Sequence, residues 1–179
     1  MIPLSHDHHD TLVVAQGLIV GRSRAPRSDW PPRRREQVDR VVAFFTDTLQ
    51  PHFETEEMAL FPLATQRLPD CAELIRTLRN EHDQVRSLII DFKQDPTREL
   101  EERLPALGRL LEGHIRKEER VLFQAIQREL NAVEMATLGE RLALRRHRAS
   151  SCQLPETAQT TPSAGPMPTR LPRKSPTET

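Results

Sequence analysis

The sequence predicts an all-α fold: an antiparallel, up-down-up-down four-helix bundle with a short fifth helix and a disordered C-terminal tail. Three observations support this prediction. Apolar residues recur at intervals of three and four, which is typical of helices with one buried face. No segment alternates with period two, and Asn-Gly and Asp-Gly hairpin signals are absent. The breaks between the periodic segments are short, which favours antiparallel neighbours.

The first helix is predicted from about Ser5 to Gly21, with Ser5 as its candidate N-cap. A Pro- and Arg-rich loop follows. Two prolines, Pro51 and Pro62, interrupt the second helix, and each removes a backbone donor, so kinks are expected there. The second to fifth helices are predicted over residues 34–67, 70–93, 97–130 and 131–148.

The composition of the chain changes at residue 149. From there onward Pro, Thr and Ser dominate and apolar residues are sparse. Such a segment buries too little apolar surface to offset the entropy lost on ordering. We therefore predict one folded domain over residues 1–148 and a disordered tail over residues 149–179.

The charge of the chain is balanced, with 26 basic and 26 acidic residues. A net charge of zero gives no long-range attraction to nucleic acid or to an anionic membrane, so neither partner is expected. Two cysteines are too few for a disulfide framework, and the N-terminus lacks the basic start of a signal peptide. These features predict a cytoplasmic protein.

One phrase occurs twice in the chain. HFETEEMALFPLA begins at His52, and HIRKEERVLFQAI begins at His114. Both copies contain His-x-x-x-Glu-Glu-x-x-Leu-Phe. Residues four apart lie on one face of a helix, so His52 and Glu56 share a face, as do His114 and Glu118.

Each of the four predicted bundle helices places one histidine within its apolar face. On the first helix that face reads Leu4, His8, Leu12, Ala15 and Ile19. A buried carboxylate without a partner costs several kcal/mol, and a metal ion removes that cost because imidazole and carboxylate are natural ligands. The pattern therefore predicts a metal site formed by His8, His52, Glu56, His82, His114 and Glu118.

Several alternatives remain open at this point. His9 is an alternative to His8, whereas His6 is expected to be exposed. Glu57 and Glu119 recur in both copies and are interpreted mainly as solvated helix surface, with hydrogen bonding to a ligand histidine as the alternative. A metal-free bundle, in which the polar groups bind one another, is the competing interpretation of the whole cluster.

Six protein ligands are more than a tetrahedral zinc site requires, and mixed imidazole and carboxylate ligation suits iron or manganese. We expect two metal ions, with both carboxylates bridging the pair and two histidines on each ion. One bridging oxide or hydroxide would then leave an open position on each ion for a small molecule.

The sequence resembles the hemerythrin-like proteins, the His-His-Glu (HHE) cation-binding domain family. The resemblance rests on the phrases LSHDHH, HFETEEMALFP, NEHDQV and HIRKEERVLF, which span residues 4 to about 126. It implies an antiparallel four-helix bundle with a non-haem di-iron centre (Fe2+/Fe3+). The ligands implied by the resemblance are His8, His52, Glu56, His82, His114 and Glu118.

The chain departs from the oxygen-carrying members of that family. Those members have two histidines one turn apart on the third helix, whereas Arg86 stands four residues after His82 here. The carriers also place the carboxylate of the fourth helix one residue further on, at the position of Glu119. The chain is therefore more similar to the variants with four histidines and two glutamates.

For these variants the resemblance implies a protein that senses or reacts with O2, NO or peroxide, or that responds to iron. We expect a metal-binding or sensor protein more than a dedicated enzyme, with a small diatomic molecule or peroxide as its ligand. One alternative is a regulatory module whose metal state is recognised by a protein partner, through the Arg-rich loop or the tail. The other alternative is reversible O2 binding.

Overall fold

The computed structural model of the chain describes residues 4–22 and 29–151. All regular secondary structure in these two segments is helical, with no strand, which confirms the predicted all-α class. None of the helices in the described part is long and apolar enough to cross a membrane. The helices are α1 (Ser5–Val20), α2 (residues 34–67), α3 (Ala72–Gln94), α4 (residues 100–129) and α5 (Ala132–Ser151).

Helix α1 ends at a glycine, as predicted. Gly21 has a φ of 75°, and its N–H donates to the carbonyl oxygen of Gly17, which closes the last turn. The prediction of Ser5 as N-cap is wrong, because Ser5 is the first helical residue and Leu4 occupies the cap position without a side-chain cap.

Helix α2 continues through both of its prolines. The irregularity predicted there takes the form of two π-helical turns, Phe45–Leu49 and Glu56–Leu60, each followed by an α-helical segment with proline at its second residue. Proline lacks a backbone donor and its ring clashes with the carbonyl four residues earlier. A wider turn before Pro51 and Pro62 accommodates both effects.

The start of α4 lies three residues later than predicted. The side chain of Asp95 accepts hydrogen bonds from the backbone N–H and the hydroxyl of Thr97, which stabilises a turn instead of a helix. Glu99 then has a φ of 48°, in the left-handed region, and the α-helix begins at Leu100.

Helix α5 begins with a capping box. The side chain of Asn131 accepts hydrogen bonds from the N–H groups of Val133 and Glu134, and the carboxylate of Glu134 accepts one from the N–H of Asn131. The helix ends at Ser151, three residues beyond the predicted domain boundary. The rest of the predicted tail, residues 152–179, lies outside the described residues.

Two clusters of buried apolar side chains lie on either side of a polar layer. The first cluster includes Leu4, Leu60, Leu78 and Leu122 and is extended by α5, and the second includes Val14, Phe53, Val85 and Leu111. Each of the first four helices contributes to both clusters. Along each helix, the predicted site residues fall between the two contributions.

The buried face of α1 differs in part from the prediction. Val14 and Leu18 are buried, whereas Leu12 and Ile19 are half-buried. A strict step of four residues drifts around a helix, because each step exceeds one turn. Alternating steps of three and four stay on one face.

Helices α1 and α4 pack closely at Gly108. A Cβ atom at this position would lie 2.6 Å from the backbone oxygen of Ala15 and 2.8 Å from the side chain of Ile19. Backbone cannot yield as a flexible side chain can, so glycine is required for this approach.

We expect the substitution Gly108→Ala to separate α1 from α4 and to lower the free energy of unfolding by about 1–3 kcal/mol, because a methyl group is forced into a packed contact. Chemical denaturation measures the change. The matched control is Gly113→Ala in the same helix, where the nearest atom to the added Cβ is Lys117 Nζ at 3.9 Å. The free energy of unfolding of that variant should rise by up to about 1 kcal/mol, because alanine has a higher helix propensity than glycine. Equal stability of the two variants would contradict the interpretation.

Candidate metal centre

The six predicted site residues converge in the interior of the protein. Each is at most 2 % exposed. Their potential ligand atoms form two groups that share both glutamates, and within each group all of these atoms lie within 4.8 Å of one another. The groups are His8, His52, Glu56 and Glu118, and Glu56, His82, His114 and Glu118.

The imidazoles form two pairs. His8 Nε2 lies 3.2 Å from His52 Nε2, and His82 Nε2 lies 3.2 Å from His114 Nε2. The Nε2 atoms therefore face the centre of the cluster in both pairs. One pair joins α1 to α2, and the other joins α3 to α4.

The two glutamates lie between the imidazole pairs. Glu56 Oε1 is 3.3 Å from His52 Nε2, and its other oxygen, Oε2, is 3.4 Å from His82 Nε2. Glu118 Oε2 is 3.2 Å from His8 Nε2 and 3.4 Å from His114 Nε2. Each carboxylate thus contacts imidazoles of both pairs.

All four oxygen atoms of Glu56 and Glu118 are buried and have no hydrogen-bond partner. Three of them, both oxygens of Glu56 and Oε2 of Glu118, lie 3.2–3.4 Å from imidazole nitrogens, but without hydrogen-bond geometry. Buried carboxylates without partners are strongly unfavourable, and a cation removes the penalty. The donor set and these four oxygens are compatible with a metal site.

Each of the four histidines also donates a hydrogen bond from its other ring nitrogen, Nδ1, to a carboxylate outside the six-residue cluster. The acceptor must be the carboxylate, so Nδ1 carries the proton and Nε2 is directed to the centre. The distances are 2.7 Å for His8 to Glu119, 3.1 Å for His52 to Asp7, 2.7 Å for His82 to Glu57 and 3.1 Å for His114 to Glu81.

These outer carboxylates were only partly foreseen from the sequence. The interpretation of Glu57 and Glu119 as mainly solvated surface is wrong, because both bind a site histidine. Asp7 and Glu81 were not predicted as partners. A signal was nevertheless present, since each directly precedes a histidine of the cluster.

Both buried glutamates begin a π-helical turn, Glu56–Leu60 in α2 and Glu118–Leu122 in α4. The second copy of the repeat has Gln124 where the first has Pro62. Proline is therefore compatible with this turn but not required for it, and both copies share the His-x-x-x-Glu-Glu-x-x-Leu-Phe pattern. π turns are frequent at functional sites, where they redirect side chains.

Aromatic rings surround the imidazoles. Phe53 stacks on His82 with 3.7 Å between ring centroids, and Phe123 stacks on His8 at 5.3 Å. These contacts hold the rings in place and keep water from the cluster. His6 and His9 are exposed, so only His8 of the three neighbouring histidines reaches the cluster.

Without a metal, nearby carboxylates raise the pKa of three of the imidazoles, those of His8, His52 and His82. Burial lowers the pKa of His52, but the carboxylates of Glu56 and Asp7 outweigh it and raise this pKa to about 10. Burial raises the pKa of Glu56, but the neighbouring His52 and His82 hold it well below its ordinary value. Because metal ligation requires neutral imidazole, a bound cation must displace these protons.

The fold and the cluster define an all-helical domain with a buried imidazole–carboxylate centre suited to a cation. A family model described as the hemerythrin HHE cation-binding domain matches residues 2–126, which include all six site residues. The chain belongs to this family, and the predicted resemblance is confirmed. No curated protein and no solved structure matches the chain.

We expect metal-free protein to lose stability as the pH rises from about 6.5 towards about 10. The folded state keeps a proton on His52 that the unfolded state releases above its pKa of 6.5. Metal-loaded protein should lose less stability over the same pH range, because the metal occupies the place of that proton. Melting temperatures of chelator-treated and Co2+-loaded protein, compared from about pH 7 to about pH 8.5, measure the difference.

The gap between the two melting temperatures should widen with pH, and the exposed-site variant His9→Gln should show the same widening. A gap independent of pH would contradict the proton displacement.

Proposed function

We propose that the chain binds two iron ions at this centre and that the bound iron senses or reacts with O2, NO or peroxide. The four buried carboxylate oxygens without a protein hydrogen bond are the observation that carries the proposal. Two such carboxylates need compensating positive charge, and the overlap of the two ligand groups at Glu56 and Glu118 suits a pair of cations.

In the proposed centre, one ion takes His8 and His52, the other takes His82 and His114, and both share the glutamates. Six ligands of mixed nitrogen and oxygen type suit iron better than a closed tetrahedral zinc site. Iron held by these residues would supply one-electron redox chemistry. The family membership, with its cation-binding description, supports a metal at this place.

We also propose that the first four helices form the antiparallel up-down-up-down bundle expected from the sequence. The order of the two apolar clusters along each helix supports it. Helix α1 runs from the first cluster at Leu4 to the second at Val14, and α2 runs from the second at Phe53 to the first at Leu60. The order alternates again in α3 and α4.

The residues of the chain have separable roles in this proposal. The outer acids fix the orientation of the imidazoles through Nδ1 and raise their basicity. The rings of Phe53, Phe61 and Phe123 exclude bulk water, which strengthens electrostatic interactions inside the site. The short contacts of Glu56 and Glu118 with both imidazole pairs couple the two halves of the cluster.

A regulatory role without turnover is the second candidate function. The cluster draws its six groups from four different helices, so its charge balance depends on the metal at the point where these helices meet. Loss of the metal would leave two buried carboxylates to be compensated by protons alone. The packing of the four helices would then change, and a protein partner would recognise that change.

Purified protein should contain about two iron ions per chain after growth in iron-replete medium. The variants Glu56→Ala and Glu118→Ala should each lose most of this iron, because each removes a ligand shared by both ions. Metal analysis measures the content. Glu54→Ala is the matched control, since Glu54 lies in the same helix but contacts Gln50 instead of the cluster. Full iron content in Glu56→Ala would contradict the proposed centre.

Iron-loaded, reduced protein should change its visible and near-ultraviolet absorption on exposure to O2, NO or hydrogen peroxide, because each reagent alters the state of the iron. Repeated consumption of one reagent would favour an enzymatic role. A single stoichiometric change, together with a partner whose affinity follows the iron state, would favour the regulatory role. Unchanged spectra with all three reagents would contradict sensing of these molecules.

A further inference from the structure

In each imidazole pair, one histidine donates a hydrogen bond to a glutamate of the internal repeat that lies outside the six-residue cluster. His8 donates to Glu119 Oε1 at 2.7 Å, and His82 donates to Glu57 Oε1 at 2.7 Å. Glu57 and Glu119 occupy the same position in the repeated phrase, directly after a buried glutamate. These two contacts can therefore be compared directly, and their surroundings differ.

Arg86 binds the carboxylate behind His82. Its Nη2 atom donates to Glu57 Oε1 at 2.9 Å, which is the same oxygen atom that accepts from His82. The guanidinium also lies 5.7 Å from the centre of the Phe53 ring, and this ring stacks on His82. Arg86 thus contacts both the Glu57 carboxylate and the Phe53 ring, the two groups that adjoin the His82 imidazole.

The carboxylate behind His8 has no such cation. Within residues 4–22 and 29–151, Glu119 pairs with His8 and with no arginine or lysine, and its side chain is 39 % exposed. Leu12 stands four residues after His8, where Arg86 stands four residues after His82. The difference between the two contacts therefore arises from one position of the chain.

A carboxylate that accepts from a ligand histidine raises the basicity of that ligand and so strengthens the metal bond. A guanidinium on the same oxygen withdraws negative charge and adds a positive charge close to the cation. Both effects weaken metal binding on the His82 side. Glu81, which accepts from His114, is also in contact with a cation, Lys117.

We infer that Arg86 makes the two metal positions unequal: acting through Glu57 on His82, it causes the first ion to occupy the His8–His52 position and the second the His82–His114 position. Arg86 is thus a positioning residue that sets the order of filling. The inference rests on the proposed two-metal centre and deepens it. Two cations repel each other, so even two equal positions would bind them in two separate steps. The order in which the positions fill is therefore the quantity that reveals a difference between them.

The order can be observed by adding Co2+ to metal-free protein and following the paramagnetically shifted Nδ1–H signals of the ligand histidines by NMR. One equivalent of Co2+ should produce the signals of His8 and His52, and the second should add those of His82 and His114. The variant Glu119→Gln should move one early signal, and Glu57→Gln one late signal, which identifies the two sets.

Removal of the Arg86 cation should narrow the difference between the two positions, while Lys117 still acts on His114 through Glu81. In Arg86→Met the second dissociation constant should fall about tenfold, the low end of the effect of outer contacts on metal affinity, and the His82 and His114 signals should appear at a lower Co2+ concentration. Arg86→Lys keeps the charge and should keep the wild-type second dissociation constant. Arg79→Met is the matched control, because Arg79 lies over the Phe61 ring in the same helix and binds the Glu57 backbone instead of its carboxylate.

The outcomes separate this inference from the proposed function. Early signals from His82 and His114, half-intensity signals from both pairs at one equivalent, or an unchanged second dissociation constant in Arg86→Met would overturn the inference while leaving a two-metal centre intact. Failure of the metal-free protein to bind either Co2+ or Fe2+ would overturn the proposed centre and the inference together.

Discussion

The burial of two carboxylates without protein hydrogen bonds is the constraint to which the rest of the structure responds. Glu56 and Glu118 are fully buried, and apolar clusters lie on both sides of them. No rearrangement of neighbouring leucines could compensate this charge, because hydrocarbon offers neither donors nor countercharge. Only the imidazoles, their protons or a cation can compensate it, and the four histidines stand where either form of compensation is available.

The outer acids complete this response. If the four imidazoles faced the carboxylates alone, each ring could rotate and present either nitrogen. A carboxylate at each Nδ1 removes that freedom and directs all four Nε2 atoms inward. Asp7 and the buried Glu56 also raise the pKa of His52, so this imidazole holds a proton when no cation is present. A bound cation would have to displace that proton.

The sequence predicted the components that depend on local spacing. The i, i+4 relation of His52 to Glu56 follows from helical geometry alone, and it held because both residues lie on one continuous helix. The contact of Glu57 with His82 joins residues that lie 25 positions apart on two different helices, and no local periodicity encodes it. The π turn at Glu118 was also beyond prediction, because no proline or glycine marks it.

The repeat shows how duplicated segments can acquire different properties without losing their geometry. The histidine and the first glutamate of each copy keep equivalent places in the cluster, where each glutamate lies near imidazoles of both pairs. The residues around them differ: Phe53 corresponds to Ile115, and Arg86 has Leu12 as its counterpart on α1. Such positions lie outside the buried cluster, so a change there alters the charge next to one imidazole pair while Glu56 and Glu118 keep their places. In the proposed two-metal centre, a single cation behind one histidine would therefore make two otherwise similar positions chemically distinct.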